Sequence, residues 1–212
     1  LLKHKKLKEY QLQRPMPLQI KKIKEAIYLG LPIGGTVFAE VAIFSVVGLI
    51  MARFSSLIIA SHQSAMNFSN LMYAFPMSIS TAMAIVISYE VGAKRLDDAK
   101  QYIHIGRLTA MVFAVLTLSF LYIYRENVAR LYGQDPEFIQ LTASFMTYSL
   151  FFQLADTFAA PLQGILRGYK DTIVPFCLGL LGYWGVAIPL GIVLDYWTGL
   201  GAYSYWIGLI VS

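Results

Sequence analysis

The chain is 212 residues long, 57% hydrophobic and only 14% charged, with a net charge of +5. Soluble domains typically carry about 25% charged residues, so this balance excludes an ordinary soluble enzyme or binding domain. Nor does the basic excess mark a nucleic-acid surface, because Lys and Arg sit at the ends of apolar runs rather than along one polar face.

Residues 1 to 25 are basic and polar and lack the apolar core of a cleavable leader, so targeting is expected to come from the spans themselves. Beyond them, charges delimit six apolar stretches. They predict helices at about 27–52, 57–90, 103–124, 138–166 and 172–194, with a sixth at 202–212 cut short by the C-terminus. The first five can cross a hydrocarbon core of about 30 Å, which takes about 20 helical residues. Barrel strands are excluded, because their alternating segments are only about 10 residues long. The expectation is therefore an all-α integral membrane protein, a bundle of six transmembrane helices. A chain that begins at Leu1 and stops within an apolar run is expected to be part of a longer one.

Proline and glycine punctuate the spans. Pro32 is expected in the first turn of its helix, whereas Pro76, Pro161 and Pro189 fall inside spans and predict kinks. Gly30, Gly34, Gly35, Gly179, Gly182 and Gly185 suit close helix packing. Cys177, the sole cysteine, forms no intrachain disulfide and is expected as a small core residue. Dealing Lys and Arg alternately to the two sides puts 14 of the 17 on the side of the N-terminus. By the positive-inside rule, that side is expected to be cytoplasmic.

Two acids stand inside the apolar runs. Glu40 lies about ten residues, or roughly 15 Å, into the first helix, and Asp156 is similarly deep in the fourth. An ionised carboxylate at mid-bilayer costs at least about 2.5–3.5 kcal/mol, so both are expected to face the bundle interior or a wet cavity. Polar side chains accompany them at helical spacing: Gln63, Asn67, Asn70, Ser78 and Thr81 on the second helix, and Gln153, Thr157 and Gln163 on the fourth. These either line a polar interior or bond neighbouring helices. Tyr183 and Trp184 are deep enough to stack on a cationic aromatic ligand or to fill the core. His62 is expected at an interface near the end of the second helix. His4, His62 and His104 cannot converge on a metal, and no phosphate-binding glycine loop, zinc signature or nucleophile elbow occurs.

Several stretches, in order, carry a resemblance. They are Gly30-Leu31-Pro32-Ile33-Gly34 with Phe38-Ala39-Glu40, Ser61-His62-Gln63, Phe75-Pro76-Met77-Ser78 and Glu90-Val91-Gly92-Ala93-Lys94. Phe152-Gln153-Leu154-Ala155-Asp156, Gly164 to Thr172, Tyr183-Trp184 and Ile188-Pro189-Leu190-Gly191 follow. Together they resemble the second six-helix lobe of the multidrug and toxic-compound extrusion (MATE) family, in its NorM-like branch. The resemblance implies a twelve-helix, two-lobed transporter, with residues 1–26 as a cytoplasmic linker and 27–212 as the C-terminal lobe. It implies a non-enzymatic antiporter of the cytoplasmic membrane that exchanges Na⁺ or H⁺, without another cofactor, for lipophilic, often cationic, drugs. Glu40 and Asp156 would bind the coupling cation, as Na⁺ ligands if Na⁺ is used. Gln63, Asn67, Asn70, Gln153, Gln163, Tyr183 and Trp184 would line the substrate cavity. The partners implied are the bilayer, the substrates and the first lobe. Alternatives are a lipid-linked oligosaccharide flippase, which needs basic residues inside the cavity, a membrane enzyme using the two carboxylates, and a non-transporting scaffold.

Overall fold

A computed structural model describes residues 18–212; residues 1–17, which hold most of the expected linker, lie outside the described part. Four long helices come first: α1 (Ile20–Met51), α2 (Ser56–Gly92), α3 (Leu96–Tyr132) and α4 (Pro136–Gly168). A fifth span, Ile173–Thr198, consists of α5 (Ile173–Leu180), a π-helical stretch (Leu181–Ala187) and α6 (Ile188–Thr198). The short helix α7 (Ala202–Val211) follows. No strand occurs among the described residues.

α1, α2, α3 and the fifth span are each long and apolar enough to cross a membrane. α4 has the length but carries Gln153, Asp156 and Gln163 along it. No more than 22% of the most apolar stretch of any of the four is buried within the protein, so their apolar side chains point outward, as a lipid environment requires. The chain is a multi-pass membrane protein.

Three- and four-residue connections force neighbouring helices to run antiparallel. Capping sets two of the helix starts. Ser55 Oγ accepts from the Ile58 amide at 3.4 Å, and Asp135 Oδ1 accepts from the Glu137 and Phe138 amides at 2.8 and 3.3 Å, with Pro136 in the first turn. At the basic end, Lys94 (φ 60°) and Lys170 (φ 62°) take left-handed backbone just past the ends of α2 and α4. Arg95 follows there: its Nε is 2.6 Å from Oε2 of buried Glu90, and its guanidinium lies 5.4 Å from the Tyr89 ring centroid. That carboxylate holds Arg95 above its ordinary range, so the cation persists at any working pH.

α2 and α4 make the most extensive contact, and α3 packs on both. α1 lies mainly on α5 and touches α2 only lightly, while α7 packs on α6, α4 and the π stretch. At the sparsely charged end, a core of Met51, Met66, Phe145, Met146 and Trp206 joins α1, α2, α4 and α7. The same end is tied across the bundle: Arg53 Nη2 donates to Asp195 Oδ2 at 2.6 Å, and the Tyr205 hydroxyl donates to that oxygen at 3.0 Å.

Helices occur over all six expected stretches, four of them long and apolar enough to cross a membrane, with informative departures. α1 begins at Ile20, inside the expected linker, so Pro32 lies within the helix rather than in its first turn. The π stretch ends just before Pro189, which has no N–H for the Gly185 carbonyl and crowds it; widening the preceding turns relieves both problems without breaking the span. Cys177 is exposed, since α5 turns it outward. His62 is 1% exposed, between Phe145 and Trp206 at ring distances of 6.1 and 5.6 Å, not at an interface. Of the glycines expected at close packing, Gly35 meets the Phe176 ring and Gly182 meets Ser212. Gly30, Gly34 and Gly185 face open space, and Gly179 makes only ordinary contacts. The tight helix crossings fall instead at Gly164 against Ser80, Gly168 against Ile87 and Gly208 against Ala187.

Candidate functional site

α1 presents one stripe to the interior: Val37, Glu40, Val41, Phe44, Ser45, Gly48 and Leu49, spaced three or four apart as one face of a helix requires. It forms one wall of a cavity of about 690 Å³. The opposite wall comes from α2, through His62, Gln63, Met66, Asn70, Tyr73, Met77 and Ser80, and from α4, through Ala160, Gln163 and Arg167. The cavity exists because α1 leans on α5 and leaves a gap in front of the tightly packed α2 and α4. Glu40 is near the middle of the stripe.

A second, small cavity of about 30 Å³ adjoins the first at Glu40, Phe44, Met66, Asn70 and Tyr73. Phe152, Gln153 and Asp156 of α4, with Ser69 of α2, complete its lining. The two acids, far apart in sequence, therefore share one space. The volume suffices for a water or a small ion, since about 10–15 Å³ holds one water. Asp156 also reaches a crevice on the α3 side, lined by Pro76, Phe113 and Thr117.

Neither acid is closed off by a cation: none of the ion pairs among the described residues includes Glu40 or Asp156. Arg167, the one Lys or Arg among the residues lining the large cavity, donates through Nη2 to Gln163 Oε1 at 3.2 Å. The Nε2 donor of Gln153, a residue 7% exposed, is buried without a partner beside the acids. Carboxylates with neutral amide and hydroxyl oxygens around a small volume form a hard-oxygen environment of the kind that suits a small cation. No group of three or more His, Cys, Asp or Glu side chains able to hold a metal occurs among the described residues.

The sequence-expected residues thus divide. Glu40, Gln63, Asn70 and Gln163 line the large cavity, and Glu40, Asn70, Gln153 and Asp156 line the small one. Asn67 lines neither and accepts a 2.9 Å hydrogen bond from the Tyr132 hydroxyl, joining α2 to α3. Ser78 and Thr81 donate to the carbonyls of Ala74 and Met77 on their own helix. Tyr183 packs against the core cluster, and Trp184 is 40% exposed. Tyr73, which lines all three spaces, escaped the sequence reading, as did Arg167 and His62 as cavity residues. Tyr73 follows Asn70 by three residues on the same face, a spacing from which it could have been read.

Apolar helices packed around a cavity lined by two carboxyl side chains, neither of them in an ion pair among the described residues, define a polytopic helical membrane protein. The MatE family profile matches residues 32–193. The whole chain is 75% identical to 47% of the probable multidrug resistance protein NorM of Streptococcus pneumoniae (strain ATCC BAA-255 / R6). Over 192 residues, 91% of this chain, it is 45% identical to 42% of the protein of the same name in Bacillus subtilis (strain 168). Among solved structures, the MATE transporter ClbM in complex with Rb⁺ superposes with a TM-score of 0.77 at 20% identity, over 89% of this chain and 44% of that one. A MATE in complex with MaL6 superposes with a TM-score of 0.80 at 15% identity, over 94% of this chain and 45% of that one. The chain belongs to the MatE family, in its NorM-like branch. It spans about half the length of the relatives it matches.

Proposed function

We propose that this chain is the second lobe of a cation-coupled multidrug exporter of the cytoplasmic membrane, with the basic segment ahead of α1 leading from the first lobe. The carrying observation is the small cavity shared by Glu40 and Asp156, free of any ion pair to either acid among the described residues and continuous with a cavity of about 690 Å³. That volume lies within the range of about 300–1,000 Å³ in which drug-sized ligands bind. The names of the relatives supply the class of cargo.

Two carboxyls out of bulk water attract a cation strongly, because the cost of keeping their charge in low dielectric falls when a positive charge joins them. Na⁺ or a proton neutralises the pair in one state of the transporter, and a lipophilic organic cation competes for the same negative charge in another. Their exclusion of each other couples the two fluxes as the lobes alternate access. Phe44, Met66 and Met77 offer apolar, adaptable contact to the cargo, while Gln63, Asn70 and Gln163 orient it. The basic end faces the cytoplasm by its Lys and Arg excess. Such an exchange makes no covalent bond and needs no cofactor beyond the coupling ion.

The test is efflux from proteoliposomes holding the full-length protein, with Na⁺ and pH gradients imposed separately. Glu40→Gln and Asp156→Asn should each abolish gradient-driven export while leaving the protein folded. Normal uphill export by both variants would refute the coupling role.

A further inference from the structure

At the basic end, the exposed face of α1 carries a groove of about 410 Å³ lined by Lys24, Ile27, Tyr28, Leu31 and Pro32. Its walls are almost wholly apolar, and Ile27, Tyr28 and Leu31 are 59%, 62% and 74% exposed. The groove runs about 12 Å along the helix axis, from Lys24 at the charged end to Pro32 inside the span. Lys21 and Lys22 adjoin the rim, and none of the three lysines forms an ion pair among the described residues. Glu25, the acid next to this rim, is occupied by Lys170, whose Nζ donates to its Oε1 at 2.6 Å. The rim is therefore positive.

We propose that this groove binds an anionic phospholipid. Its phosphate lies against Lys24, with Lys21 and Lys22 adding long-range attraction. One acyl chain follows Ile27, Tyr28, Leu31 and Pro32 into the bilayer. A tight run of basic residues directly before an apolar span attracts anionic lipid, and each lysine strengthens the partition about fivefold. The groove adds what a bare basic stretch lacks, a shaped apolar seat for one chain next to the charge. This site is separate from the acid-lined cavity and independent of the transport proposal.

The test uses the full-length protein, delipidated and titrated with phosphatidylglycerol or phosphatidylcholine, with retained lipid counted by native mass spectrometry. Phosphatidylglycerol should be preferred. Lys24→Gln should cut its retention about fivefold without changing that of phosphatidylcholine, and Lys24→Arg should keep it. With the native cysteines, exposed Cys177 among them, changed to Ser, a spin label at Ile27→Cys in nanodiscs should be open to oxygen from the lipid phase. Undiminished phosphatidylglycerol retention in Lys24→Gln would overturn the proposal. So would displacement of the lipid by glycerol phosphate alone, or a label shielded from oxygen because protein covers the groove. Glu40→Gln should retain the lipid preference even where it abolishes export, which keeps the two proposals separable.

Discussion

Gly164→Ala should destabilise the protein, although alanine is the better helix former. A Cβ at Gly164 would lie 2.3 Å from the Ser80 carbonyl oxygen, 2.9 Å from Ser80 Oγ and 3.0 Å from the carbonyl carbon. The obstacle is backbone, so α2 and α4 must separate at their crossing by about an ångström to restore contact distances. Overpacking of this kind costs about 1–3 kcal/mol, and alanine returns about 0.8–1.0 kcal/mol of helix propensity. With the backbone obstacle taking the upper part of that range, the net loss is about 1–2 kcal/mol. In a full-length protein about twice this long it lowers the unfolding midpoint by about 1–4 °C. Gly34→Ala is the matched control: nothing lies within 4 Å of its Cβ, so only the propensity gain remains and the midpoint should rise. The assay is thermal unfolding of the full-length protein in one detergent. A Gly164→Ala midpoint at or above that of Gly34→Ala would refute the close crossing that holds Gln153 and Asp156 opposite Asn70 and Tyr73.

The Arg53–Asp195 pair, with side chains 59% and 20% exposed, should show a coupling of about 0.5–1 kcal/mol in a double-mutant cycle and lose much of it in high salt; a salt-independent coupling would contradict its solvent contact. Asn67→Ala and Tyr132→Phe break the same hydrogen bond, so their stability losses should not add and export should persist; additive losses would show that the bond is not made. Gln63→Leu, by contrast, changes the wall of the large cavity and should reduce export with little change in unfolding midpoint. Tyr73→Phe keeps the ring but removes a hydroxyl from the space between the acids, and should weaken the apparent affinity for the coupling ion about tenfold; unchanged affinity would remove Tyr73 from the site.

Much of this architecture is legible without coordinates because a bilayer is a strict solvent. Charge-free runs had to become helices, and acids within them had to turn inward, so the helical stretches and the inward-facing positions of Glu40 and Asp156 were legible in residue order. Three-dimensional pairing was less accessible. That Asn67 bonds Tyr132 while Asn70, three residues later, lines both cavities depends on where α3 ends relative to α2. Glycine misled for a related reason: its absence of side chain permits close approach, but only the crossing geometry decides that Gly164 uses it and Gly34 does not. His62 carries a polar ring that sequence reasoning sends to the interface, yet it is enclosed by aromatic partners from two distant helices. The π stretch before Pro189 is legible as an irregularity, though not as that particular widening.

Equilibrium binding of radiolabelled Na⁺ and of protons to the purified full-length protein, with and without a saturating organic cation substrate, tests the shared acid site most directly. The wild type should bind one coupling ion and release it as substrate binds, whereas Glu40→Gln and Asp156→Asn should each bind it at least tenfold more weakly. Simultaneous saturation by both ligands, or undiminished ion binding in both variants, would contradict the account.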